Sequence, residues 1–111
     1  MTSELRRLAG EADLDGAMRL ELAVLYKHSP VCGLSTRARR QVRRFVEAHP
    51  DLPVYVVDVI GQRELAREIE ERTGIRHESP QVIVLLGGNP AWHGSHRAVT
   101  EEALTRAIDS A

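Results

Sequence analysis

The sequence predicts a single α/β domain over residues 1–111, with one sheet carrying helices on both faces. Three observations point there. Apolar, β-branched runs near residues 20–27 and 53–59 flank an amphipathic stretch, which is the pattern of a parallel βαβ unit. Two further apolar runs, joined by a glycine-rich turn, precede a last helical pattern and make a ββα unit. A chain of 111 residues buries roughly 65% of the surface its unfolded form exposes, enough for one core without metal or disulfide staples.

Taken in order, Ser3 to about Met18 reads as a helix: Ser3 can cap, Glu4 lies in the first turn, and Leu5, Leu8, Ala9 and Ala12 recur at roughly helical spacing, with Gly10 and Gly16 interrupting. Leu20 to Lys27 is an apolar run of strand length that ends at the turn-prone Ser29-Pro30. After Cys32-Gly33, the side chains Leu34, Ala38, Val42, Phe45 and Val46 form one helical stripe until His49-Pro50 stops it. The arginines at 37, 39, 40, 43 and 44 surround that stripe and, apart from Arg37, read as a solvated helix face. Pro53 to Val59 is β-branched and aromatic enough for a second strand. Leu65, Ala66 and Ile69 mark another helix, with Glu68 four residues before Arg72 and Gly74 where a left-handed cap belongs. Gln81 to Leu86 is a near-continuous strand, Gly87-Gly88-Asn89 signals a hairpin, and Ala91 to His96 can return antiparallel. Thr100-Glu101-Glu102-Ala103 opens the last helix, with Leu104 and Ile108 facing in. The expected architecture is thus a mixed sheet of about four strands, βαβ then ββα, with an extra N-terminal helix. The thioredoxin fold has this order of elements.

Composition removes several functions. Fifteen Lys and Arg against sixteen Asp and Glu give a net charge of -1, which takes away the bulk electrostatic case for nucleic-acid or membrane-surface partners. One Trp, one Phe and two Tyr offer little for stacking bases. The longest apolar runs fall far short of the ~20 residues of a membrane span. The mixed charges of Met1 to Arg7 lack the apolar centre of a signal peptide, so the expected compartment is the cytoplasm, where a lone cysteine stays reduced.

That cysteine, Cys32, stands one residue before a helix begins, where unpaired backbone N–H groups and the positive end of the helix dipole favour a thiolate. A free thiol near ~8.5 is lowered by such surroundings. His28 and Arg37 are candidates to add positive potential. Ser35 occupies the place where a dithiol exchanger carries its second thiol, so Cys32-Gly33-Leu34-Ser35 can accept a mixed disulfide but cannot release it unaided. The plain alternative is a small, inert, apolar Cys32. Ser79-Pro80 precedes the Gln81 strand; proline there is ordinarily a turn device, but in thioredoxin-like folds a cis-proline at this point faces the nucleophilic cysteine and leaves a backbone edge for substrate.

Lys27-His28-Ser29-Pro30-Val31-Cys32-Gly33-Leu34-Ser35, His77-Glu78-Ser79-Pro80-Gln81 and Gly94-Ser95-His96 together resemble the YtxJ-type family, the monothiol bacilliredoxins of the thioredoxin superfamily. The similarity covers nearly the whole chain, and the His-Glu-Ser-Pro-Gln block is its most distinctive piece. The resemblance implies removal of bacillithiol from protein mixed disulfides, with Cys32 as nucleophile, Ser35 at the vacant resolving position and Pro80 as the cis-proline. Bacillithiolated proteins are then the partners, bacillithiol is a co-substrate, and no tightly bound cofactor is expected. Ser79, Pro80, His28, His96 and Arg37 fall on the substrate side, Arg37 as a guanidinium for the carboxylates of the small thiol.

Cys32-Gly33-Leu34-Ser35 departs from the Cys-Pro-Ile-Ser more usual in that family, and it resembles the Cys-Gly-Phe-Ser of monothiol glutaredoxins, which carry iron–sulfur clusters with glutathione. Against a cluster carrier, Gly87-Gly88 is followed by Asn89-Pro90-Ala91-Trp92 and not by the Gly-Gly-x-Asp glutathione turn. A non-catalytic thioredoxin-like adaptor is the third reading. His93 and His96 have a zinc-like spacing, but residues three apart on a strand point to opposite faces, so no metal site is expected.

Overall fold

The computed structural model describes residues 5–29 and 33–111, the side chain of Leu34 excepted. The expected Ser3 cap, the Pro30 turn position and Cys32 lie outside the described residues. Five strands and four helices follow in the order β1 (Arg6–Arg7), α1 (Glu11–Arg19), β2 (Leu22–His28), α2 (Gly33–Ala48), β3 (Val54–Asp58), α3 (Arg63–Thr73), β4 (Gln81–Leu86), β5 (Asn89–Ser95) and α4 (Glu101–Asp109). A short 3₁₀ turn, His96–Ala98, precedes α4.

The sheet order is β1-β3-β2-β4-β5. β1, β3 and β2 run parallel, whereas β4 is antiparallel to both β2 and β5. The period-2 alternation of strand side chains divides the core in two. Val24 and Tyr26 of β2 and Val82 and Val84 of β4 face Ala38, Val42 and Phe45 of α2 and Leu104 of α4. Leu25, Ile83 and Leu85 face the other way, against Leu14 and Ala17 of α1 and Leu65 and Ile69 of α3. The arginine-rich α2 is amphipathic because its buried stripe alone meets the sheet.

The mixed sheet and the extra N-terminal helix are as expected, but the N-terminal segment corrects the helix's start near Ser3 and adds a short fifth strand to the about four expected. Arg6 and Arg7 pair with Tyr55 and Val56 as a fifth strand, and α1 starts only at Glu11. Leu5 and Leu8 are three apart, a spacing that suits one helix face or two sheet faces. In the fold Leu5 packs on the α2 side and Leu8 is buried on the α1 side, with the Leu8 amide donating to Val56 O at 3.0 Å. Gly10 is fully extended just ahead of α1, and Asp13 Oδ2 reaches back to accept from the Ala9 amide at 2.9 Å, which fixes the late start.

The other boundaries follow local chemistry. Gly74 ends α3 in the left-handed conformation, φ 72°. Gly87 and Gly88 turn the β4–β5 hairpin at φ 58° and 83°, and a Cβ on Gly88 would sit 2.7 Å from Met18 O. Thr100 Oγ1 accepts from the Ala103 amide and caps α4. Arg72 ties α3 to α1 through Asp15 and Glu11 while also pairing with Glu68. Among the described residues no helix is long and apolar enough to cross a membrane.

Candidate functional site

One end of the sheet gathers the residues singled out in the sequence. Register places His28 opposite Asp58, Lys27 opposite Gln81, and Gln81 opposite Ser95, so the ends of β2, β3 and β5 and the start of β4 form a lateral row. Helix α2 starts at Gly33, five residues after the end of β2, on this same end. The row therefore lies beside the N-terminus of the helix that directly follows Cys32.

A buried polar network runs beneath this row. Lys27 is fully buried, and its Nζ donates to Gln81 Oε1 at 2.9 Å. Gln81 Nε2 donates in turn to Arg76 O at 3.0 Å and to Ser95 Oγ at 3.2 Å. The neighbouring Ser95 hydroxyl is the main reason the Glu78 carboxyl stays below the usual carboxylate range. Burial lowers the Lys27 ammonium to about 8, against the opposing attraction of Glu70 and Glu78. The three blocks Lys27-His28-Ser29, Glu78-Ser79-Pro80-Gln81 and Ser95-His96 are thus joined by side chains.

The Ser79-Pro80 peptide bond is cis, and Pro80 is buried. Its carbonyl accepts from the His96 amide at 2.8 Å. His96 takes φ 54°, a left-handed conformation uncommon outside glycine, which holds a histidine at the rim beside Pro80. Two hydroxyls stand out: Ser35 Oγ, in a residue 1% exposed, and Ser79 Oγ are both buried with no hydrogen-bond partner among the described residues. A buried hydroxyl without a partner costs about 1–3 kcal/mol.

On the α2 side, Tyr26 OH and His28 Nδ1 share a hydrogen bond of 3.1 Å. Burial, helped by the charge of Arg39, holds the His28 imidazole below its ordinary value, so it is neutral at pH 7. Arg37 is exposed on α2. His77 is also held down, first by burial and then by Lys27. No group of three His, Cys, Asp or Glu side chains is gathered for a metal among the described residues.

Sequence reading took Lys27 as the end of a strand and Gln81 as the start of another, and assigned neither a role. The signal that pairs them is register: once β2 and β4 align antiparallel through their apolar residues, Lys27 and Gln81 must fall opposite each other on one face. The orphaned hydroxyl of Ser79 likewise becomes visible only when its surroundings close over it.

This sheet order, the cis-proline at the head of β4 and the helix that follows the end of β2 define a thioredoxin-fold protein, and the family to which the chain belongs gives it a thiol redox role. The chain belongs to the monothiol bacilliredoxin family: the model of the family described as monothiol bacilliredoxin BrxC matches residues 5–104. Among solved structures, a thioredoxin-fold protein provisionally described as an oxidoreductase is 25% identical, with a TM-score of 0.88 over 94% of this chain and 93% of its own. Thioredoxin from Trypanosoma brucei brucei is 14% identical, TM-score 0.83, over 99% of this chain and 92% of its own. A mutant thioredoxin from Halobacterium salinarum NRC-1 is 20% identical, TM-score 0.78, over 99% and 93%. The last two share the fold alone.

Proposed function

We propose that this chain removes bacillithiol from protein mixed disulfides by one-thiol exchange at Cys32, in the cytoplasm. The Cys32 thiolate attacks the bacillithiol sulfur of a protein mixed disulfide. A new disulfide forms between Cys32 and bacillithiol, the S–S bond between the bacillithiol sulfur and the protein sulfur breaks, and the protein thiolate leaves and takes up a proton. A second low-molecular-weight thiol, as its thiolate, then attacks the bacillithiol sulfur on Cys32; the two small thiols depart as a disulfide and Cys32 is returned as thiolate. The net result is an exchange in which the second thiol is oxidised into a disulfide with bacillithiol, the protein sulfur is returned as a thiol, and Cys32 ends as it began.

The observation that carries this reading, given the family, is the pair of buried hydroxyls, Ser35 and Ser79, that have no partner among the described residues. Ser35 lies in the first turn of the helix that follows Cys32, and Ser79 immediately precedes the cis-proline. Both are donors in search of an acceptor, and a thiolate or the sulfurs of a mixed disulfide are such acceptors. Pro80 and Ser79 then flank the incoming disulfide, His28 and His96 line its approach, and Arg37 meets the charge of the small thiol.

Intact mass after separate incubation with oxidised bacillithiol and oxidised glutathione tests the substrate. The bacillithiol adduct is expected, and Cys32→Ser must lose both the adduct and de-bacillithiolation of a model protein in the presence of a second thiol. Activity persisting in Cys32→Ser overturns the assignment.

A further inference from the structure

Between α2 and the β1 edge of the sheet lies a cleft of about 280 Å³, of whose lining residues only His28 has been given a part above. Alternation along three neighbouring strands builds its floor: Leu5 and Arg7, Val56 and Asp58, Tyr26 and His28 all point to the α2 face. Arg39 and Arg43, one helical turn apart, form its wall. Three guanidiniums, from Arg7, Arg39 and Arg43, therefore converge on one concavity, and none has a salt bridge among the described residues. The one acid there, Asp58, has its Oδ1 accepting from the Ile60 and Gly61 amides at 3.0 and 3.2 Å and its charge acting on His28, so the three guanidiniums outnumber it in the cleft. Arg39 is close enough to Tyr26 and His28 for its charge to act on both.

We propose that this cleft binds the carboxylate end of the small acidic thiol whose sulfur Cys32 accepts. The inference rests on the exchange reading above and assigns the part of the co-substrate that does not react. Guanidiniums bind carboxylates in bidentate pairs, and the apolar patch of Leu5 and Val56 suits a short carbon skeleton. The volume falls just below the usual range for small-molecule sites, which suits a compact carboxylate-bearing group better than a polypeptide segment. The reach is adequate: His28 lines the cleft, and four residues of chain cannot place the Cα of Cys32 more than about 14 Å from that of His28.

The test compares two mixed disulfides of one model protein, one with bacillithiol and one with uncharged 2-mercaptoethanol. In Arg39→Gln/Arg43→Gln the preference for the bacillithiol disulfide, read as the ratio of kcat/KM values, should fall about tenfold, the scale of one lost charge-assisted hydrogen bond. The charge-matched control Arg40→Gln/Arg44→Gln, on exposed residues outside the cleft, should keep it. An equal ratio in both double variants overturns the proposal. A second readout needs no exchange: Cys32→Ser protein titrated with succinate should show saturable NMR shifts at the amides of Arg7, His28 and Val56, lost when Arg39→Gln/Arg43→Gln is added. If the wild type reacts with neither disulfide, the exchange reading fails while this titration still reports on the cleft. Absence of shifts, or saturation by an acidic peptide but not by succinate, overturns the cleft assignment.

Discussion

Lys27 Nζ donates to Gln81 Oε1 at 2.9 Å inside the sheet, between residues that face each other across β2 and β4. The pairing is needed because the ammonium is fully buried and an unpaired charge there would be costly. Even so, burial dominates the neighbouring carboxylates Glu70 and Glu78, and Lys27 titrates at about 8 instead of its ordinary 10.5.

Stability should therefore rise with pH in a defined window. Between about 8 and 10.5 the unfolded chain holds the lysine proton that the folded chain has released, so raising the pH favours folding. From pH 7 to 9.5 the gain is about 2 kcal/mol. Tyr26 acts in the opposite sense higher up, because burial raises its hydroxyl to about 12 and the unfolded chain ionises first from about pH 10. Urea midpoints at half-unit pH intervals should show the rise in the wild type and its loss in Lys27→Met. A profile shared by both proteins would contradict the assignment.

Gln81→Leu should cost about 2–3 kcal/mol, since it strips the buried Lys27 of its acceptor and leaves Ser95 Oγ and Arg76 O without a donor. Lys27→Met and Gln81→Leu together should cost less than the sum of the two. A double-mutant cycle from urea unfolding is expected to return a coupling of about 1–2 kcal/mol. Simple additivity would mean that the contact does not hold the sheet.

The parts of the fold legible in the sequence were those where one physical rule acts alone. Gly74 and the pair Gly87-Gly88 announce left-handed backbone, and the apolar run Gln81 to Leu86 can only be an interior strand. Leu5 and Leu8 failed because their spacing satisfies a helix and a strand equally, and the free edge of β3 decided for the strand. At the site, Ser79-Pro80 was legible as a motif, whereas Lys27 was not, because its burial depends on a partner in another strand. The same holds for Arg39 and Arg43: periodicity puts them off the buried stripe of α2, but only the arrival of β1 makes the surface beside them concave.

Thr100→Ala should destabilise by about 1 kcal/mol, because it removes the oxygen that accepts from the Ala103 amide at the start of α4. Thr100→Ser retains that oxygen and should remain within a few tenths of wild type. Thermal unfolding of the three proteins decides this, and equal midpoints would show that the cap contributes nothing.

Ser35→Cys should convert the one-thiol cycle into one that finishes itself. Ser35 is 1% exposed in the first turn of α2, and its hydroxyl has no partner among the described residues, so a thiol of similar size replaces it without breaking a hydrogen bond there. In the variant carrying a bacillithiol adduct on Cys32, the introduced thiolate attacks the Cys32 sulfur. An internal disulfide forms, the bond to bacillithiol breaks, and bacillithiol leaves as a thiolate that takes up a proton. Mass spectrometry without added reductant should then show the adduct disappear and the chain settle about 2 Da below its dithiol mass, two hydrogens having been lost to the internal disulfide. The wild type under the same conditions should keep its adduct, because the hydroxyl of Ser35 cannot form the second disulfide. An adduct equally long-lived in both proteins would remove Ser35 from the resolving position and, with it, the explanation of why this chain needs a second thiol.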